Sequence, residues 1–180
     1  MSRVQLIDSS VAPAASKALL DQIHGAFGAT PNMFRAVANS PAALKSMWGA
    51  FGALGGGVLP PQLTEKIAVA VADRNRCEYC LAAHTALGRK AGATAEQMAA
   101  AQAGHADDPQ TAAALDFALK LVRQHGQVAD TDVAAVRAAG FNDEQIVEIL
   151  AHVALNLFTN YVNVAFKVPV DFPGVKLRAK

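Results

Sequence analysis

The stretch "QLTEKIAVAVADRN", residues 62–75, constrains the fold more than any other part of the chain. A helix through it is apolar on almost its whole circumference, so it must be buried on nearly every side. Helical signals run along the rest of the chain and no convincing strand alternation appears, so the expected fold class is all-α. The 180 residues are 52% apolar and only 17% charged, enough apolar material for a real core and too little charge for a disordered chain. We expect a single all-helical domain over residues 1–180. Within it, residues 1–58 form an N-terminal helical arm, 59–168 the core, and 169–180 an irregular, Pro-rich tail.

Local punctuation marks the helix ends. Thr30 and Pro31 read as an N-cap and a first helical residue, and Ser40 with Pro41 repeats the pattern. Gly55, Gly56 and Gly57 with Pro60 and Pro61 mark the clearest loop. The string "AGATAEQM" (Ala91 to Met98) recurs loosely as "AGFNDEQI" (Ala139 to Ile146). Each reads as a helix-ending glycine, an N-cap (Thr94 or Asn142) and a glutamine three residues on (Gln97 or Gln145) that completes a capping box.

The chain has only two cysteines, and both follow the buried helix directly, as Cys77 and Cys80, with His84 one turn further on. At i, i+3 and i+7 the three side chains share one helix face. Asn75 and Arg76 break the preceding helix, which puts Cys77 at the start of the next one, where free N–H groups and the helix dipole favour a thiolate. The two-residue spacer lets the sulfurs close a disulfide. His84 lies one turn below Cys80, within reach of proton exchange. Glu65 lies ten residues before Asn75 and His84 nine after it. At a rise of about 1.5 Å per residue, both stand roughly 14–15 Å from the break. If the two helices fold back antiparallel, the carboxylate meets the imidazole and orients it. The pattern favours redox chemistry over inert buried cysteines and over a metal centre, the last because a structural zinc wants four ligands and only three candidates are local. No cofactor and no metal are expected.

A second polar feature lies near the C-terminus. Glu148, His152, Asn156, Thr159 and Asn163 fall on one side of a long apolar helix. That stripe fits either the solvent face of a core helix or a polar wall lining a cavity or a subunit interface. His24, His105 and His125 each sit beside a glycine and are expected in solvent. A net charge of +1 without a basic run argues against nucleic acid. No uncharged apolar run is long enough for a strong membrane span, and no secretory signal pattern opens the sequence. Two cysteines make no secreted disulfide framework, so a reducing, cytoplasmic setting is expected.

The segment "EKIAVAVADRNRCEYCLAAHT" resembles the core signature of the alkylhydroperoxidase D-like proteins of the carboxymuconolactone decarboxylase superfamily. That signature is a Glu, a Cys-x-x-C twelve residues on, and a His four residues after the second Cys; Glu65, Cys77, Cys80 and His84 match all of it. "PNMFRAVANSPAAL" and "NLFTNYVNVAFKVPVDFP" resemble the flanks of the peroxidase-related branch. Where relatives carry a His after the N-Y-x-N segment, this chain has Val164.

The resemblance implies an all-helical bundle that assembles into homo-oligomers, trimers or hexamers. It also implies thiol-dependent reduction of (alkyl)hydroperoxides by Cys77 and Cys80, with Glu65 and His84 as a proton relay. The partners expected are a hydroperoxide substrate and a lipoamide- or thioredoxin-like dithiol reductant. Either cysteine fits the attacking role: Cys77 by its helix terminus, Cys80 by its nearness to His84. Two other functions fit the same residues, a disulfide reductase and a non-enzymatic redox-sensing oligomer.

Overall fold

The computed structural model describes residues 1–179. Among them there is no strand. The helices are α1 (Ala14–Phe27), α2 (Asn32–Val37), α3 (Pro41–Gly55), α4 (Pro61–Arg74), α5 (Glu78–Lys90), α6 (Ala95–Gln102), α7 (Pro109–Arg123), α8 (Asp130–Ala138) and α9 (Asp143–Ala165). No helix among the described residues is long and apolar enough to cross a membrane.

The apolar helix expected over residues 62–75 is α4, and it is the centre of the bundle. It packs against α5, α6, α7 and α9. Every residue from Ile67 to Ala72 is buried, with Ile67, Val69 and Val71 at 0% exposure. Burying each of those three side chains stabilises the fold by about 1.5–3 kcal/mol. Leu20 and Ile23 of α1, Phe34 of α2 and Leu44 and Met47 of α3 belong to the same core. The N-terminal segment therefore lies on the bundle, and α1 and α2 each pack beside α3.

The caps show how the sequence sets the boundaries. Ser40 accepts a hydrogen bond from the Ala43 amide at 3.2 Å, with Pro41 as the first helical residue. Thr94–Gln97 and Asn142–Gln145 both form reciprocal capping boxes. Thr30 departs from expectation. The helix begins one residue later, Pro31 takes the cap position without a side-chain acceptor, and Thr30 Oγ1 instead lies 3.2 Å from His24 Nδ1. An extended Pro31 (ψ 144°) cannot serve as a helical residue, which moves the boundary.

The turn between α4 and α5 positions the site. Arg76 adopts a left-handed conformation (φ 59°), which reverses the chain within two residues. The Cys77 amide bonds back to Ala72 O at 2.9 Å, and Asn75 Nδ2 donates to Asn160 Oδ1 on α9 at 2.9 Å. The two helices consequently run antiparallel. The C-terminal tail is irregular but fixed: the Arg178 amide donates to Asp73 Oδ1 at 3.0 Å, and Gln102 Nε2 donates to Lys176 O at 2.9 Å.

The α9 stripe is not a solvent face. Asn156, Thr159, Asn160 and Asn163 are all buried, while Val147, Leu150, Phe158, Tyr161 and Val164 of the same helix are exposed. The polar residues point into the bundle and a large part of the apolar side points outward.

Candidate functional site

Cys77 is the N-cap of α5, and its sulfur accepts a hydrogen bond from the Cys80 amide at 3.2 Å. The residue therefore serves as an ordinary helix cap while carrying a thiol. Cys80 lies one turn in, and both cysteines are reduced and buried. Asn163 Nδ2 donates to Cys80 Sγ at 3.2 Å from α9.

The two thiols titrate apart. Burial alone would raise Cys80. It is outweighed by a hydrogen bond from Cys77, the positive charge of His84 and the amides of Asn163 and Asn160, which together lower the thiol to about 7. Cys77 moves the other way. Its hydrogen bond to Cys80, its burial and the neighbouring Cys80 charge all keep it protonated. The geometry therefore favours one thiolate, on Cys80, with Cys77 as its hydrogen-bond donor.

Glu65 and His84 meet across the α4–α5 pair. Glu65 Oε2 lies 2.7 Å from His84 Nδ1, with the side chains 20% and 13% exposed. Burial lowers the imidazole, but the Glu65 charge and hydrogen bond, with a contribution from Cys80, raise it overall. The carboxylate fixes the Nδ1 side of the ring and leaves Nε2 for exchange. Gly88, one turn after His84, makes this close approach feasible. A Cβ there would stand 2.6 Å from Met98 Sδ and 3.3 Å from Glu65 Cβ.

Two cavities and a groove surround these groups. Cys80 and His84 line a narrow cavity of about 40 Å³, walled by Phe27, Met33, Phe34, Phe51, Leu87 and Phe172. On the other side of His84 lies a cavity of about 190 Å³, whose polar lining is Thr64, Glu65, His84, His152, Asn156 and Thr159. Phe51, His84 and Thr159 border both. Cys77 lines a separate outer groove of about 400 Å³, with Arg76, Glu78, Asn163 and Lys167. Each cysteine thus has its own approach.

All four residues singled out in the sequence converge here. Asn160 joins them without a place in the sequence pattern of the α9 stripe. Its signal is the buried N-x-x-N spacing with Asn163, which brings two amides to one face of α9. Glu148 stands apart from the rest of the stripe: its carboxylate accepts from the Val58 and Leu59 amides at 2.9–3.1 Å and fastens the α3–α4 loop. His24, His105 and His125 are exposed.

Residues 41–124 match the model of the carboxymuconolactone decarboxylase family. No curated protein matches the chain. Among solved structures, the chain is similar to an uncharacterized peroxidase-related protein from Ralstonia eutropha JMP134 with an alkylhydroperoxidase AhpD core. The two are 26% identical with a TM-score of 0.84, over 94% of this chain and 92% of that one. An uncharacterized peroxidase-related protein from Silicibacter sp. TM1040 is 25% identical with a TM-score of 0.81, over 93% and 91%. The debrominase Bmp8 shares the fold at 20% identity and a TM-score of 0.80, over 93% and 91%.

Proposed function

Because the chain belongs to the carboxymuconolactone decarboxylase superfamily and has the alkylhydroperoxidase D-like fold, we propose that it is a thiol-dependent hydroperoxide reductase. The observation that carries this reading is the asymmetry of the cysteine pair. Cys80, lowered to about 7, lies beside a Glu65-oriented His84 at an apolar cavity, and a protonated Cys77 stands within disulfide reach.

The Cys80 thiolate attacks the distal oxygen of ROOH and the O–O bond breaks. The departing RO⁻ takes a proton from His84 and leaves as the alcohol, while Glu65 holds the imidazole and stabilises its charged form. Cys80 is then a sulfenic acid. The Cys77 sulfur, giving up its proton, displaces hydroxide from Cys80 sulfur; water leaves and the disulfide forms. The peroxide has gained two electrons and the pair has lost two. A dithiol reductant of the lipoamide or thioredoxin type attacks from the outer groove, forms a mixed disulfide with Cys77, and returns both cysteines to thiols. The separate approaches to Cys80 and Cys77 support this division of labour. A chemistry that needs free thiols at rest fits the reducing cytoplasm.

Intact-mass measurement after mild peroxide treatment tests the two-cysteine step. The expected product is lighter by about two hydrogens, with one internal disulfide. A product carrying extra oxygen on one cysteine and no disulfide would rule out Cys77 as the resolving thiol.

A further inference from the structure

Four arginines from separate parts of the chain line one surface groove of about 350 Å³: Arg74 at the end of α4, Arg76 in the α4–α5 turn, Arg123 at the end of α7 and Arg178 in the C-terminal tail. All four are exposed. Several other exposed cations of the chain stand against carboxylates, as Arg137 does at 2.6 Å from Asp143 and Lys17 at 2.9 Å from Asp21. The cations of this groove do not. Among the described residues, Arg74, Arg76 and Arg178 form no salt bridge, and Arg123 reaches Asp116 only at 3.9 Å. Asp73 also lines the groove, but its Oδ1 is turned to other donors, the Arg178 amide at 3.0 Å and Gln102 Nε2 at 2.8 Å.

The cluster is held in place and joins the cysteine site. Arg76 Nη1 donates to Arg178 O, so the left-handed turn and the tail fasten each other. Arg76 also lines the outer groove that Cys77 borders, where Glu78 and Lys167 are the other charged groups. The two grooves therefore meet at the residue directly before Cys77. Together they carry Arg74, Arg76, Arg123, Lys167 and Arg178 against Asp73 and Glu78, in a chain whose formal net charge is only +1. None of these charged residues borders the cavity at Cys80 and His84, so a partner seated on them leaves the peroxide approach free.

We propose that this arginine surface docks an acidic segment of a protein dithiol donor and holds the donor over the Cys77 groove. The proposal deepens the peroxidase reading and rests on it for the identity of the occupant. Guanidinium groups pair with carboxylates through two parallel hydrogen bonds, and a patch of one sign speeds encounter with a partner of the other. The cluster sits where a donor thiol must arrive, which favours an acidic dithiol protein over a nucleic acid or a free phosphate.

Peroxide consumption by the full-length chain is measured with dithiothreitol, which is small and uncharged, and with a thioredoxin of net negative charge kept reduced by its reductase. The double variant Arg74→Glu, Arg123→Glu changes two exposed positions outside the Cys77 groove. Its KM for thioredoxin is expected to rise roughly tenfold or more, while kcat and the dithiothreitol rate hold. Arg74→Lys with Arg123→Lys keeps the charge and should recover most of the affinity. In the wild type, the thioredoxin KM should climb as salt rises from about 50 to about 300 mM. Hexaglutamate should compete with thioredoxin, and inorganic phosphate at the same concentration should not. These wild-type measurements decide the matter even if the charge-reversed chain does not fold. An unchanged KM after charge reversal, a KM indifferent to salt, or phosphate competing as well as hexaglutamate would each overturn the proposal. Calorimetric titration with the same thioredoxin, its active-site cysteines replaced by serine, reads docking without turnover. Binding that charge reversal abolishes, in a chain that consumes no peroxide with either reductant, defeats the peroxidase reading alone. Turnover with dithiothreitol, without thioredoxin binding at sub-millimolar concentration, defeats this docking site alone.

Discussion

At the scale of single residues, the site depends on where one negative charge resides. Two adjacent buried thiols cannot both ionise, and the His84 charge and the Asn163 amide that donates to Cys80 Sγ favour the ion on Cys80. A lowered thiol gains its thiolate as pH rises through its own value and loses it as pH falls. Alkylation of Cys80 by iodoacetamide should therefore rise from acid to alkaline pH with a midpoint at about 7. Glu65→Gln removes the charge that raises His84. The imidazole then loses its proton at lower pH, the thiolate loses its cation, and the alkylation midpoint moves upward. Peroxide turnover should drop by roughly 10²–10⁴-fold, the usual loss for a positioned acid–base group. An unmoved midpoint in the variant would show that Glu65 does not act through His84. This pairing was legible in the sequence because helix rise is constant: ten residues before a break and nine after it reach the same level. The Asn163 contact to sulfur was not legible, since it joins positions 83 residues apart and depends on how α9 crosses α5.

At the scale of elements, α4 and α5 form the rigid unit that carries the relay, and Gly88 sets their separation. Gly88→Ala would place a methyl group against Met98 and close to Glu65 Cβ. Met98 is flexible and gives way in part, so a loss of about 1–3 kcal/mol of stability is expected. The shift would be transmitted to the Glu65–His84 contact, and turnover should fall in a variant that remains folded at 25 °C. Thermal denaturation and peroxide assays on the same preparation test both parts; an unchanged melting temperature would mean that the two helices have slack at this point. Capping boxes at Thr94 and Asn142 could be read from sequence because they are local exchanges over three residues. Thr30 could not be resolved to one residue, because the following proline can occupy either the cap or the first helical position. The α9 stripe failed as a solvent face for a different reason. Periodicity identifies two sides of a helix but does not say which one meets water, and here the buried side holds Asn156, Thr159, Asn160 and Asn163.

At the scale of the whole molecule, α9 leaves Val147 at 65%, Leu150 at 50%, Tyr161 at 60% and Val164 at 46% exposure along its outer side. Leu121, Leu157 and Tyr161 border a further shallow depression there. Soluble monomers seldom carry so continuous an apolar face. A homo-oligomer that covers α9 is expected, and a trimer or hexamer matches the implication of the family. Light scattering at micromolar concentration should give a mass several times the 18.7 kDa of one chain. A mass near that of a single chain would leave the exposed α9 face without a partner. The all-α class and the central position of the 62–75 helix were readable from composition and pattern, since a helix apolar all round has only one place to go. The two cavities were not, because the larger is left between α3, α4, α5 and α9 and the smaller between α1, α2, α3, α5, α9 and the C-terminal tail, and neither belongs to one element alone.

Steady-state peroxide consumption shows whether this cysteine pair turns over hydroperoxide. Cumene hydroperoxide is supplied with dihydrolipoamide, or with a thioredoxin system, to the wild-type chain, Cys80→Ser and Cys77→Ser. Many turnovers per chain are expected for the wild type and background consumption for Cys80→Ser. At most about one rapid turnover is expected for Cys77→Ser, which can form the sulfenic acid but cannot close the disulfide. A wild-type chain that oxidises once and stops in the presence of every reductant, or a Cys80→Ser variant that consumes peroxide as fast as the wild type, would contradict the peroxidase reading.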